Sequence, residues 1–275
     1  MKKLFLTSFL FVFVVFVSGQ LHTPAPSPTQ TIKQDFGISS IELIYSRPGV
    51  KGRKIFGDLV PWNKVWRTGA NSATRIKFID DVTFGGQALK AGEYALYTIP
   101  NEKEWEIIIN KGSANWGTNY KQEDDIFRVK VKPMKLDETV ETFTLQFGNV
   151  KPNSADLQIM WDKTAVAVPI VTDIDKKIMA QINDAMNKDT RPYFQSAMYY
   201  MENGKDLNQA LQWFDKAIEQ NPNGFFIYYQ KANTLVKLGR KAEAKAAAQK
   251  SMDIAREQKN DDYVRLNEKL LKELK

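Results

Sequence analysis

Apolar positions follow three successive patterns along the chain: a continuous run up to Val17, alternation from Ile38 to about Val171, and helical spacing after Thr172. In the alternating section Ile41, Leu43 and Tyr45 are separated by polar neighbours, as are Phe127, Val129 and Val131, then Phe143, Leu145 and Phe147, then Leu157, Ile159 and Trp161. A period of two gives a strand one dry face and one wet face, so each run is an expected β-strand. Further strands are expected at 75–79, 82–84, 93–99, 105–110 and 165–170, with turn signals at Gly85-Gly86, Ala91-Gly92, Pro100-Asn101 and 149–153. Eight or nine short strands with no helical period between them predict an antiparallel β-sandwich or jelly roll over 36–171. Leu89 to Tyr94 reads as a corner in which the Tyr94 hydroxyl bonds back to nearby backbone.

Over 172–275 the spacing predicts helices at 173–187, 191–203, 206–220, 224–238, 241–257 and 261–274. Placing the first position of a 34-residue repeat at Arg191 puts Ala210, Phe214, Ala217 and Pro222 at tetratricopeptide signature positions. The next register gives Ala232, Ala244, Ala248 and Ser251, with Arg256 where proline would stand. Small residues there let paired helices approach. The first and last helices are expected to cap the two repeats.

The amino-terminal run is preceded by Lys2 and Lys3 and followed by Ser18, Gly19 and Gln20, which reads as a signal peptide over 1–19; a retained anchor is the rival reading. Residues 20–35, with Pro24, Pro26 and Pro28, read as an extended spacer. The mature protein is then expected in the periplasm or secreted, with no membrane span after cleavage. No cysteine is available for a lipid anchor, a disulfide or a thiolate metal site, so stability must come from burial, and 43% hydrophobic residues supply it.

Removing Lys2 and Lys3 leaves 37 basic residues against 32 acidic ones, or +5, spread along the chain. That is no nucleic-acid footprint, which concentrates Lys and Arg on one element. The single histidine, His22, lies in the spacer, which argues against histidine-based catalysis or a zinc site. Without a phosphate-loop or dinucleotide fingerprint, neither a cofactor nor a metal is expected.

From Tyr45 to Thr74 the chain reads Tyr-Ser-Arg-Pro-Gly-Val-Lys-Gly-Arg-Lys-Ile-Phe-Gly-Asp-Leu-Val-Pro-Trp-Asn-Lys-Val-Trp-Arg-Thr-Gly-Ala-Asn-Ser-Ala-Thr. With Gly92-Glu93-Tyr94, Trp105 through Lys111, Trp116-Gly117 and the closing Trp161-Asp162-Lys163-Thr164, it resembles the bacterial family known as domain of unknown function 2911. The resemblance covers roughly Pro26 to Val171. It implies an exported protein of Gram-negative bacteria, chiefly Bacteroidota, often continued by tetratricopeptide-like helices, and it implies no reaction. The chain departs from the family pattern at Trp62-Asn63, where an aromatic followed by glycine is expected.

The segment Arg47 to Asn71 concentrates the candidate chemistry. Arg47, Lys51, Arg53, Lys54, Trp66, Arg67 and Asn71, with Trp116, are the expected contacts to an anionic or carbohydrate ligand. Guanidinium forks suit carboxylate or phosphate, indoles suit sugar faces, and glycines admit close approach. The competing reading has Trp62 and Trp66 plugging the sandwich while the arginines pair with Asp58, Asp80 and Asp81. Glu93, Glu123, Asp124 and Asp125 raise a glycosidase pair, against which Asp124-Asp125 reads as a solvated turn.

In the helical part the repeat register puts Gln195, Tyr199, Glu202, Asn203, Phe226, Tyr229, Asn233 and Lys237 on the concave side, a face for a protein partner. The competing reading packs Tyr199, Phe226 and Tyr229 against the β domain or a cap. Taken together, the sequence is read as a binding and scaffolding protein. A glycan or peptide hydrolase is the runner-up, and a purely structural, dimerising protein is the third reading.

Overall fold

The computed structural model describes residues 23–112, 119–188 and 191–274, and the chain divides after Asp173 into two compact units. The signal-peptide reading, its cleavage point and His22 lie outside the described residues.

The first unit contains β1 (Thr29–Phe36), β2 (Ser39–Ser46), β3 (Thr74–Phe78), β4 (Val82–Phe84), β5 (Gln87–Leu89), β6 (Gly92–Ile99), β7 (Trp105–Asn110), β8 (Asp125–Val131), β9 (Met134–Lys151) and β10 (Ser154–Val171). They form two antiparallel sheets, ordered β1-β2-β3-β6-β7-β8 and β5-β4-β10-β9. Alternate residues of both sheets, among them Leu43, Ile76, Leu96 and Ile107 on one side and Phe84, Leu145, Leu157 and Val168 on the other, share one buried core. This is a sandwich, and burying each such side chain contributes about 1.5–3 kcal/mol. At the expected corner the Tyr94 hydroxyl donates to the Lys90 carbonyl at 2.8 Å.

Two expectations need correction. The spacer was expected to run to residue 35, yet 29–36 form a full edge strand, with Ile32 opposite Leu43. Thr29, Thr31, Lys33 and Asp35 fill its exposed positions and glutamines flank Ile32 on the other face, so it has too few apolar residues for alternation to announce it. The separate strands expected at 157–161 and 165–170 are one strand, β10, and 143–147 is the centre of the equally long β9. Asp162, at φ 51°, sits between two register shifts. The polar break after Trp161 is a bulge that re-aims a continuing strand, not a loop.

At Trp62-Asn63 the turn survives without glycine. Asn63 adopts φ 60°, a left-handed conformation that asparagine tolerates, and its amide N–H donates to Pro100 O at 2.9 Å.

The second unit holds α1 (Asp175–Met186), α2 (Tyr193–Glu202), α3 (Leu207–Gln220), α4 (Phe225–Lys237), α5 (Lys241–Glu257) and α6 (Asp261–Glu273), all within about two residues of the expected bounds. Ala197, Ala210, Ala217, Ala232, Ala244 and Ala248 are all buried, as close helix pairing requires. The Asp206 side chain caps α3 by accepting from the backbone of Asn208 and Gln209. No helix among the described residues is long and apolar enough to cross a membrane.

Candidate functional site

The connection between β2 and β3 is held by the β9–β10 hairpin on one side and the end of β6 on the other. Gly49 bridges Thr142, and Trp66 bridges Thr98. The Trp66 indole lies parallel to Trp161 at 5.8 Å, meets the edge of Phe143 at 5.1 Å and donates to Gly69 O at 3.1 Å. Phe56 stacks on Trp62 at 5.8 Å and meets Trp105 at 5.0 Å. These aromatics pack into the core from one end of the sandwich.

The loop's arginines are pinned, but not through the aspartates expected. Arg47 donates to Phe143 O at 3.1 Å and Thr144 Oγ1 at 2.9 Å; Arg53 donates to Val50 O at 3.1 Å and Gly49 O at 2.5 Å. Asp81 instead accepts from Lys90 and from the Ala91 N–H. A long loop has many carbonyls to satisfy, and a guanidinium serves several at once. Asn71, at φ 59°, donates to Ser46 Oγ and Ser27 O, a turn-holding role. Arg47, Arg53, Trp66 and Asn71 are therefore in internal use. Lys51 and Lys54 are exposed, and Trp116 lies outside the described residues.

Arg67 is different. Its Nε is buried and has no hydrogen-bond partner, and the side chain makes no ion pair among the described residues. Trp66 and Thr98 form an isolated bridge that exchanges both backbone hydrogen bonds, and Arg67 and Tyr97 each lie one residue on from it. Trp66 points into the core, so Arg67 leaves the sheet on its outer face. Tyr97 does likewise, flanked by the buried core residues Leu96 and Thr98.

That outer face carries a polar cluster that sequence reasoning missed. Asp125, expected as part of a solvated turn, opens β8 with its side chain only 10% exposed. Its Oδ2 accepts from the Tyr120 hydroxyl at 2.7 Å and from Arg128 Nε at 2.9 Å and Nη2 at 2.8 Å; its Oδ1 accepts from Asn110 Nδ2 at 2.8 Å. Arg128 Nη1 reaches Glu106 Oε2 at 3.2 Å. Of the other carboxylates raised for a glycosidase pair, Glu93 meets Arg75 at 3.5 Å, and Glu123 is exposed beside Asp124 in a short 3-10 turn. Tyr97 and Ile108, opposite each other, are wholly buried although they point outward, with the Tyr120 ring 5.0 Å from Tyr97. Burial, then the Asp125 hydrogen bond and charge, push the Tyr120 phenol up to about 12. Burial first and the Asp125 charge second also raise Tyr97, whose hydroxyl has no partner. The cluster was invisible because its members are spread over three strands and a connection, with no local spacing to join them.

In the second unit, half of the expected concave face is engaged by neighbouring helices. The Tyr199 hydroxyl donates to Asp175 at 2.7 Å, Tyr229 meets Tyr263 of α6 edge-on at 5.6 Å, Phe226 meets Phe194 at 5.1 Å, and Lys237 reaches Met201 O at 3.0 Å. Packing of Tyr199 and Tyr229 against the capping helices is thus observed. Gln195, Glu202 and Asn203 stay exposed, and Asn233 is half-buried. A second surface lies elsewhere: two adjoining hollows of about 460 and 490 Å³ share Tyr193, Gln209 and Trp213. Asn183, Asn187 and Arg191 extend one, and Gln212, Asp215 and Lys216 the other. Among the described residues no three His, Asp or Glu side chains are gathered as a metal would require.

Comparison with known families finds a match to the family described as a protein of unknown function, DUF2911, over residues 27–170. Two tetratricopeptide-repeat models match residues 190–223 and 213–246. No curated protein matches the chain.

Proposed function

We propose, for a chain that belongs to the DUF2911 family and continues into tetratricopeptide repeats, an exported interaction protein whose helical arm docks a protein partner and whose sandwich holds a small ligand. The observation that carries the docking reading is the grouping of Trp213, Tyr193 and Arg191 along the paired hollows of the arm. Trp, Tyr and Arg are the residue types that dominate binding energy at protein interfaces, and amides at the rim supply hydrogen bonds to an extended backbone. The concave residues Gln195, Glu202, Asn203 and Asn233 offer a second, more polar surface on the same arm.

Cross-linking in cells, followed by capture of the full chain, tests this reading. Trp213→Ala with Tyr193→Ala should abolish a partner seen with the unaltered protein while helical content and melting stay near their original values. Retention of the partner by that variant, with loss on Gln195→Ala and Glu202→Lys, would move the interface to the concave face. Retention by both variants would remove the arm as the docking element.

Export is proposed from the charged and apolar residues 1–19 alone. Mass spectrometry of the mature protein checks it, and an intact Met1 would overturn cleavage.

A further inference from the structure

We infer that the outer face of the six-stranded sheet carries a carboxylate-binding site formed by Arg67 and Tyr97. This rests on the reading of the sandwich as ligand-binding, and it gives that ligand a chemistry and a place. Two independent observations coincide. Arg67 brings a guanidinium with a buried, unpartnered Nε, and Tyr97 brings a hydroxyl on a wholly buried side chain that likewise has no partner. The isolated bridge of Trp66 with Thr98 lies one residue from each, and because side chains alternate along extended backbone, the core-facing Trp66 and Thr98 set Arg67 and Tyr97 toward the same outer face. A buried polar group left unpaired costs about 1–3 kcal/mol, and more for a charged one. Two such groups side by side mark a place where the fold accepts instability until something binds.

The surroundings define what fits. Asp125 lies near enough for its charge to act on Tyr97, but both its oxygens are already engaged by Tyr120, Arg128 and Asn110, so it leaves Tyr97 without an acceptor. Burial and that same charge keep the Tyr97 phenol protonated at neutral pH, which makes it a donor. Arg128 is likewise committed, to Asp125 and Glu106, whereas Arg67 makes no ion pair among the described residues. A neutral donor beside an unmatched guanidinium calls for an oxyanion, and a planar carboxylate suits the guanidinium edge. The buried aromatic and aliphatic floor of Tyr97, Ile108, Ala95 and Tyr120 favours a compact organic acid over a heavily hydrated ion.

Calorimetric titration of the full chain with galacturonate, succinate and inorganic phosphate tests the inference, with galactose as a neutral control. The expected result is binding of one or both carboxylates, weaker binding of phosphate, and none of galactose. Tyr97→Phe removes only the hydroxyl, so the variant should melt at or above the temperature of the unaltered protein yet bind the carboxylate at least about tenfold more weakly, a loss of one hydrogen bond to a charged group. Arg67→Gln should lose binding altogether. If a carboxylate binds equally well to both variants, the site is elsewhere and the inference fails while the ligand reading of the sandwich stands. If galactose binds as well as galacturonate, the ligand reading stands and the carboxylate assignment fails. If none of the four compounds binds, both fail.

Discussion

Between the two sheets of the sandwich the space is filled by large rings such as Trp105, Trp161, Phe84 and Phe143, whereas between the helices of the arm many buried positions are alanines, among them Ala197, Ala210, Ala232 and Ala248. The two solutions leave different things at the surface. A core of large rings gathered from distant strands has an end to be closed, and the loop that closes it spends its tryptophans and two of its arginines internally. Close-packed helices have no such gap. Tyr193 and Trp213 are accordingly left half-exposed on the arm, able to meet a partner. Most of the large aromatic residues in the first unit are thus spent on packing, whereas Tyr193 and Trp213 in the second stay half-exposed.

The comparison breaks most visibly at Trp161, stacked on Trp66 and 2% exposed. Trp161→Ala should destabilise the sandwich by about 3–5 kcal/mol and leave the unfolding of the helical unit unchanged, as calorimetry of the full chain would reveal. The converse variant is Ala210→Leu, where a fully buried alanine faces a neighbouring helix. Overpacking should cost the arm about 1–3 kcal/mol without altering the sandwich. Asp206→Ala removes a helix cap and should cost the arm about 1 kcal/mol by the same measurement.

A smaller effect separates the units by pH. Tyr120 has an ordinary value of 10.0 and is raised to about 12 in the folded sandwich, so between those values the unfolded chain loses a proton that the folded one keeps. Stability from this group is present below pH 10 and is lost as the pH rises toward 12. Asp175 behaves oppositely: hydrogen bonds from Lys205 first and Tyr199 second lower its value, so its contribution is present at neutral pH and is lost as the pH falls through the folded value. Urea titrations across pH should therefore show the sandwich weakening in alkali and the attachment of α1 to α2 weakening in acid. Tyr120→Phe should reduce the alkaline part and Asp175→Asn the acid part.

How much was legible followed from how local each signal is. Repeat register is local, so the helices and the buried alanines of the arm were readable directly. Alternation is local too, and it revealed every strand whose dry face is strongly apolar. It missed β1, where Ile32 and Phe36 are the only large apolar residues, and it cut β10 at a bulge that keeps the strand going. Within the candidate site, Arg67 was visible as one cation among several. Nothing in the sequence separated it from Arg47 and Arg53, because the difference lies in which carbonyls the folded loop brings within reach. Tyr97 was not visible at all: one residue of an alternating strand becomes a site member only through the pairing of Trp66 with Thr98.

Hydrogen exchange of the full chain with and without saturating galacturonate tests most directly the division of labour between the units. Slowed exchange confined to 65–68, 95–99 and 120–128, with the helical unit unchanged, is the predicted result. Protection falling within 174–275, or none anywhere in the sandwich, would contradict it.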